Sequence, residues 1–157
     1  MNPGDYCVIQ THGWAAWWIR LVTRSRFNHA AIYIGGGQII EANPAGVQVS
    51  PLSNYDGYLM LRSDLHLDPA RAAAVVQAAQ AQLGLEYGWL DVLAIALSTI
   101  GIRTRKLDDP DSRFCSQLVM ISEDAAGRPY LTLKAANRVT PGDLALILVG
   151  QPVPANW

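Results

Sequence analysis

The sequence predicts a single α+β domain with a small antiparallel sheet. Short β-rich runs joined by turn signals dominate the first 62 residues, and helical patterns with only one further strand follow them. The chain has 157 residues, of which half are apolar and 16% are charged. This length and composition predict one buried core spanning residues 1–157, and they argue against two domains and against disorder.

The first two elements follow from a turn and a helical repeat. Pro3-Gly4-Asp5 is a turn signal before a predicted strand over residues 6–10. A predicted helix over residues 13–23 repeats large apolar side chains at helical spacing, at Trp14, Trp17, Trp18 and Leu21. We expect these tryptophans to pack in the core, and the alternative is a role at a substrate or a membrane interface.

Two β-rich runs, residues 28–34 and 38–42, are separated by three glycines and predict a hairpin. An odd loop places Ala31 opposite Glu41, so that His29 becomes the diagonal neighbour of Glu41 on the same face. The same register gathers an apolar set on the other face, formed by Ala30, Ile32, Ile34, Ile40 and Ala42.

The remaining elements follow from capping and periodicity. Asp68-Pro69 predicts the start of a helix that ends at Leu83 before Gly84. Apolar spacing predicts two more helices, over residues 89–100 and about 113–125. The other predicted strands are short: residues 47–49, 58–62 and, after the Thr140-Pro141-Gly142-Asp143 turn, 144–149.

Three side chains together offer the equipment of a thiol hydrolase. Cys115 lies in the first turn of its predicted helix, where free N–H groups and the helix dipole favour a nucleophilic thiolate. His29 would act as general base and acid, and Glu41 would orient the imidazole. Each has a plainer interpretation, namely a small buried thiol, a hydrogen-bonded core histidine and an exposed acid at a strand end.

Other functions have less support. Cys7, His12 and His66 form no metal-ligand pattern with recurring spacing, and we expect no metal and no cofactor. The net charge of −1 provides no field that would attract nucleic acid. The apolar segment 92–102 is too short to span a bilayer, so no stable membrane insertion is expected.

The N-terminus carries no recognisable secretory signal, which predicts a cytoplasmic location by default, with export by a non-Sec route or phage-borne delivery as alternatives. In a reducing compartment the two cysteines are expected to stay free. Neither the oligomeric state nor the choice between a peptide amide and a lipid ester as substrate follows from the sequence.

Three segments resemble the circularly permuted branch of the NlpC-like papain fold, which is related to lecithin:retinol acyltransferase and to YiiX/YaeF-type amidases. Residues 114–119, Phe-Cys-Ser-Gln-Leu-Val, resemble the nucleophile segment of that family, and residues 28–35 resemble its histidine strand. Glu41 falls where permuted members carry their third polar residue. The element Gly84-Leu-Glu-Tyr-Gly-Trp89 resembles a family motif whose tyrosine, here Tyr87, helps to form the active site.

The resemblance implies a papain-like fold in which helices pack against the sheet, with acyl transfer to Cys115. Ser116 and Tyr87 would contribute to substrate binding or to the oxyanion hole. The implied function is a cysteine peptidase or amidase that cleaves a peptide or peptidoglycan-like amide. The alternatives are a lipid acyl hydrolase or acyltransferase, which would admit an acyl chain beside the tryptophan helix and segment 92–102, and a non-catalytic binding module.

Overall fold

The computed structural model describes residues 1–88, 111–127 and 136–150. Within them the strands are β1 (Tyr6–Gln10), β2 (His29–Gly35), β3 (Gln38–Asn43), β4 (Gly46–Pro51), β5 (Leu59–Arg62), β6 (Glu86–Tyr87) and β7 (Ser112–Arg113). The α-helices are α1 (Trp14–Thr23), α2 (Pro69–Gln80), α3 (Cys115–Ala125) and α4 (Pro141–Leu148), and short 3₁₀ turns cover Leu52–Tyr55 and Ala136–Arg138. The helix predicted over residues 89–100 and the segment 92–102 lie outside the described residues.

Five strands form one antiparallel sheet in the order β4-β3-β2-β1-β5. Helices α2, α3 and α4 pack against it. The predicted α+β class, with a small antiparallel sheet packed against helices, is confirmed. A separate parallel pair, β6 and β7, joins the segment before Cys115 to the segment that follows α2.

The β2–β3 hairpin has the predicted register. Ala31 pairs with Glu41, and His29 begins β2 two residues before Ala31. Side chains two residues apart on a strand point to the same face. His29 and Glu41 therefore share a face, as the alternation of side chains predicts.

The hairpin turn differs in detail from the predicted three-residue loop. The register shifts between Tyr33 and Gly35, and Gly35 pairs with Gln38. The turn itself contains only Gly36 and Gly37, whose φ angles of 61° and 74° favour glycine. The bulged residue and the two turn residues together number three, the same odd number as in a three-residue loop. The side chains of β2 and β3 therefore lie on the predicted faces of the sheet.

The two faces of the sheet pack against different parts of the chain. The face beneath the helices carries most of the predicted apolar set, fully buried: Ala30, Ile32, Ile40 and Ala42, with Ile34 partly buried at the margin. The opposite face holds a smaller apolar cluster under the 3₁₀ turn Leu52–Tyr55, formed by Cys7, Ile9, Ala31 and Ile39. The chain after β4 thus covers the face that bears His29 and Glu41.

Helix α2 begins where the sequence predicts. The Asp68 carboxylate accepts hydrogen bonds from the N–H groups of Ala70 and Arg71, at 3.1 and 3.0 Å, and caps α2. That helix ends at Gln80, three residues before the predicted Leu83, and continues as turns.

The strand predicted over residues 144–149 is wrong, because these residues belong to helix α4 and its end. Thr140 and Asp143 form a reciprocal capping box, in which Asp143 N–H donates to Thr140 Oγ1 and Thr140 N–H donates to Asp143 Oδ2. Pro141 occupies the first turn, where its missing N–H has no cost. The sequence taken for a turn is therefore the start of a helix.

The expectation that the α1 tryptophans pack in the core is also wrong. The side chains of Trp14, Trp17 and Trp18 are 79%, 51% and 53% exposed. The helical spacing was right, but the tryptophan side of the helix faces outward, and Ala16 is buried instead. Among the described residues, no helix is long and apolar enough to cross a membrane.

Candidate active site

The buried pair His29 and Glu41 forms the centre of the site. Nε2 of His29 lies 2.6 Å from Oε2 of Glu41, and the two side chains are 11% and 3% exposed. The contact follows from strand register, since it links diagonal neighbours on one face of the β2–β3 hairpin. The carboxylate holds the proton of His29 on Nε2, which leaves Nδ1 for a second partner.

Glu41 is itself held by polar side chains. Tyr55 donates its hydroxyl to Oε2, the same oxygen that binds His29, and Asn43 Nδ2 donates to Oε1 at 3.3 Å. The ring of Tyr55 also lies 5.5 Å from the imidazole, centroid to centroid. The orientation of the carboxylate is therefore fixed from both of its oxygens.

Cys115 completes the group from another part of the chain. It is the first residue of α3, after Phe114 in an extended conformation, and its side chain is buried. The first intrahelical bond runs from Leu118 N–H to Phe114 C=O at 3.0 Å. The N–H groups at the start of α3 are thus free to stabilise negative charge near the sulfur.

The pKa values follow from these contacts. Burial alone would lower the pKa of His29. The hydrogen bonds from the imidazole to Cys115 and Glu41, together with the negative charges of those two residues, outweigh burial and raise the pKa of His29 from 6.5 to about 9. Burial would raise the pKa of Glu41, but the hydrogen bond and the charge of His29, helped by Ser50 and Tyr55, lower it from 4.5 to about 2. The arrangement therefore favours an ionised Glu41 and a protonated His29.

Tyr87 lies close to Cys115. Tyr87 of β6 pairs with Arg113 of β7, and Gly88 N–H donates to the carbonyl of Arg113 at 3.0 Å. Burial and the negative charge of the Cys115 thiolate both raise the pKa of the Tyr87 hydroxyl. This strand pair explains how Tyr87 reaches the site from a distant position in the sequence.

Ser116 uses its side chain in packing. The residue is fully buried, and its hydroxyl donates to the carbonyl of Val139 at 2.6 Å. What Ser116 can offer to a substrate is therefore its backbone N–H in the first turn of α3.

The other cysteine and the other histidines lie apart from this group. Burial raises the pKa of Cys7 to about 12, with only partial relief from the charge of Arg62. His66 is exposed and lies 3.4 Å from Asp64, and the exposed His12 stacks 5.2 Å from Tyr58. Cys7 is thus an inert core thiol, whereas Cys115 is the thiol that contacts an imidazole.

Tyr55 and Asn43 were not predicted from the sequence. Asn43 follows Glu41 by two residues on the same strand, so the alternation of side chains would have placed it on the same face. Tyr55 gives no such signal, because the 3₁₀ turn that folds it over the sheet has no periodicity.

No protein-family model matches this chain. It is 25% identical over 179 aligned positions to the probable lipoprotein peptidase YaeF of Escherichia coli K12, which covers 96% of this chain. The chain spans only 65% of the length of that relative. These values support a resemblance to YiiX/YaeF-type proteins.

The fold has a counterpart among solved structures. The crystal structure of the metalloprotein YiiX from Escherichia coli O157:H7 superposes with a TM-score of 0.63 at 16% identity, covering 99% of this chain and 86% of that one. The fold is therefore α+β and papain-like, as in YiiX. In the three described ranges of this chain, no three His, Cys, Asp or Glu side chains form a group that could hold a metal ion.

The expected cytoplasmic location is wrong in the light of these comparisons. The curated relative is named a lipoprotein peptidase, and lipoproteins carry covalent lipid that attaches them to membranes. A cytoplasmic location is therefore not retained.

Proposed function

We propose that this protein is a cysteine peptidase or amidase that cleaves an amide bond through an acyl-enzyme on Cys115. The observation that carries the proposal is the buried chain of contacts from Cys115 to His29 to Glu41. A thiol at a helix start, an imidazole and an orienting carboxylate are the groups that nucleophilic acyl transfer requires.

Each group has a defined step. At rest Nδ1 of His29 holds the proton that comes from the Cys115 thiol, and the thiolate sulfur attacks the carbonyl carbon of the substrate. The protonated imidazole then gives its proton to the amine as the C–N bond breaks, which leaves a thioester. His29 next removes a proton from water, and the resulting attack on the thioester releases the acid and regenerates the pair of thiolate and protonated imidazole.

Charge on the substrate oxygen would be stabilised at the start of α3. The backbone N–H groups of Cys115 and Ser116 lie in the first turn, where the helix dipole also favours negative charge. The hydroxyl of Tyr87, whose raised pKa keeps it protonated, would be a further donor beside the sulfur.

We also assign the chain to the circularly permuted branch of the NlpC superfamily, because His29 and Glu41 precede Cys115 in the sequence. The name of the relative supports a peptide substrate, and a peptidoglycan-like amide is one chemical form of it. Since the chain spans 65% of that relative, the activity of the relative enters here only as a proposal.

A lipid ester substrate is the second candidate, and one observation favours it. The exposed tryptophans of α1 provide an apolar surface, and a lipid acyl hydrolase or acyltransferase needs such a surface to receive a chain. The same catalytic residues would serve either substrate.

The test combines two cysteine variants with two substrate classes. The wild type, Cys115→Ala and Cys7→Ala are assayed against peptide amides, muropeptides and phospholipid esters, and acyl adducts are located by intact and peptide mass spectrometry. We expect amide cleavage and a trapped acyl group on Cys115, loss of both in Cys115→Ala, and retention in Cys7→Ala.

Iodoacetamide labelling tests the mechanism before a substrate is known. Cys115 is expected to be alkylated below pH 8 and Cys7 to stay unmodified, and His29→Ala should abolish the difference. If the folded protein leaves both thiols unmodified, the catalytic proposal is wrong and a binding module is favoured. Turnover of esters alone would support the lipid candidate instead.

A further inference from the structure

Helix α1 presents a continuous apolar surface, here called the tryptophan face, formed by Trp14, Trp17, Trp18 and Leu21. Their spacing of three and four residues places them on one side of the helix, and each is at least half exposed. Single exposed apolar residues are common, but three indoles and a leucine on one helix face form a patch.

The exposed side is not the result of a detached helix. Ala16 is buried on the opposite side, and the Arg20 guanidinium donates to the carbonyl of Thr11 at 2.6 Å. The ends of α1 are joined as well, because Thr11 N–H donates to Asn28 Oδ1 and Asn28 Nδ2 donates to Thr11 Oγ1. The helix is therefore fixed with its tryptophans outward.

The charges on α1 and on the chain segments that flank it have one sign. Residues 6–40 contain three arginines and no aspartate or glutamate, although the whole chain has a net charge of −1. Arg24 continues the exposed row beyond Leu21, and Arg26 is also exposed. Within the described ranges neither Arg24 nor Arg26 forms an ion pair.

A cavity of about 380 Å³ adjoins the end of α1. The two arginines line it together with α4, whose Asp143 is held by its own capping box with Thr140. The cavity gives the guanidinium groups a concave surface beside the end of α1, and guanidinium groups bind phosphate through paired hydrogen bonds.

We propose that the tryptophan face docks on the surface of an anionic phospholipid bilayer. Indole rings are enriched at the level of the lipid headgroups, where one side of the ring meets acyl chains and the N–H meets water. Arg24 and Arg26 contact the lipid phosphates, as basic residues next to an apolar helix face do. The helix lies on the bilayer and does not span it.

Docking of α1 places the candidate active site beside the membrane. Asn28, which ties the two ends of α1, directly precedes His29, and His12 stacks on Tyr58, which is itself in contact with Tyr55 at 6.0 Å between centroids. Membrane docking goes beyond the proposed hydrolase activity and does not depend on it, so a Cys115→Ala protein is expected to dock as the wild type does.

The test is co-sedimentation of the full chain with vesicles of phosphatidylcholine alone and of phosphatidylcholine mixed with phosphatidylglycerol. We expect binding to the mixed vesicles, a blue shift of tryptophan emission, and weakening by added salt. Three of the five tryptophans belong to the tryptophan face, so their transfer from water dominates the emission change.

Two sets of variants separate the apolar part from the charged part. Trp17→Ser with Trp18→Ser should abolish binding, whereas Leu83→Ser, at an exposed leucine elsewhere, should leave it unchanged. Arg24→Asn and Arg26→Gln should each weaken binding by about fivefold, and Arg71→Gln should not. Asparagine suits position 24, because that residue has a positive φ of 48°.

Three results would overturn the proposal. The first is wild-type protein that stays in the supernatant with both kinds of vesicle. The second is equal binding to both kinds, which would remove the anionic lipid from the proposal. The third is a dimer in sedimentation velocity that Trp17→Ser with Trp18→Ser converts to a monomer without any effect of lipid, which would assign the face to a second copy of this chain.

Discussion

Tyr55 donates its hydroxyl to the same oxygen of Glu41 that pairs with His29. This shared acceptor links the 3₁₀ turn after β4 to the centre of the candidate site. The tyrosine contacts neither Cys115 nor a substrate group in this arrangement, so its role is to position the carboxylate and, through it, the imidazole.

The Tyr55→Phe variant is expected to be slower without losing its fold. A hydrogen bond to a charged group contributes about 1.5 kcal/mol or more, which corresponds to about tenfold in kcat/KM if all of it acts in the transition state. The measurement is the pH profile of Cys115 alkylation. The limb that reports His29 should shift to higher pH, because a Glu41 carboxylate that has lost one donor holds the proton of His29 more strongly.

Tyr58→Phe is the matched control for that experiment. Tyr58 lies next to Tyr55 in the same aromatic cluster, but it makes no hydrogen bond to Glu41 in the structure. An equal effect of the two substitutions on the pH profile would mean that Tyr55 acts by packing alone.

Glu41→Gln is expected to reduce kcat by about 10²- to 10⁴-fold. Oε2 of Glu41 accepts a hydrogen bond from Tyr55, and Oε1 accepts one from Asn43. The amide nitrogen of a glutamine would therefore face a hydrogen-bond donor at either position. An amide nitrogen at the Oε2 position would also favour the tautomer of His29 with its proton on Nδ1, which cannot accept the thiol proton. The measurement is single-turnover acylation, with Glu86→Gln as a control that removes an exposed acid. Unchanged acylation would exclude an orienting role for Glu41.

The hairpin half of the site could be predicted from the sequence for a physical reason. Side chains alternate along a strand, and only one register keeps the apolar residues on one face while bringing His29 and Glu41 together on the other. Even the bulge between Tyr33 and Gly35 did not change this result, because parity and not the exact turn determines the face.

The contact between Cys115 and this pair could not be derived in the same way. It depends on how α3 packs against the sheet, and no local rule relates positions so far apart in the chain. The resemblance of residues 114–119 to a known nucleophile segment predicted it, and Tyr87 was placed on the same basis. Tyr55 belongs to no motif and was missed.

The two errors in the fold have separate causes. The apolar run 144–149 suits a strand or a buried helix equally. The decisive signal was the capping box of Thr140 and Asp143, which was interpreted as a turn. For α1 the spacing of the tryptophans identified a helix face, but spacing alone does not show whether a face meets the core or the solvent.

Stability should depend on pH through the His29 and Glu41 pair. The folded state raises the pKa of His29 from 6.5 to about 9, so this contribution is complete below pH 6.5 and is lost as the pH rises through 9. The folded state lowers the pKa of Glu41 from 4.5 to about 2, so its contribution is present above pH 4.5 and is lost as the pH falls towards 2. The pair therefore stabilises most between pH 4.5 and 6.5.

Urea unfolding at a series of pH values measures this dependence. The wild type should lose free energy of unfolding between pH 6.5 and 9, whereas His29→Gln should show a flatter profile over the same interval. His66→Gln is the control, because His66 is exposed and the Asp64 carboxylate 3.4 Å from it is also at the surface. Parallel profiles for the wild type and His29→Gln would contradict the pKa assigned to His29.

Gly46→Ala is expected to destabilise the fold where β4 meets the segment before β6. Gly46 has a φ of 106°, and a Cβ there would lie 2.8 Å from the carbonyl oxygen of Leu85. That oxygen already accepts from Val47 N–H at 2.9 Å, so the backbone cannot withdraw without losing this bond.

Gly57→Ala is the matched control, since Gly57 has a φ of 82° and open space around it. Both variants have the cost of a positive φ, about 1–3 kcal/mol, and only Gly46→Ala adds a clash. Chemical denaturation should therefore show the larger loss for Gly46→Ala, and equal losses would mean that the segment before Tyr87 shifts freely to make room.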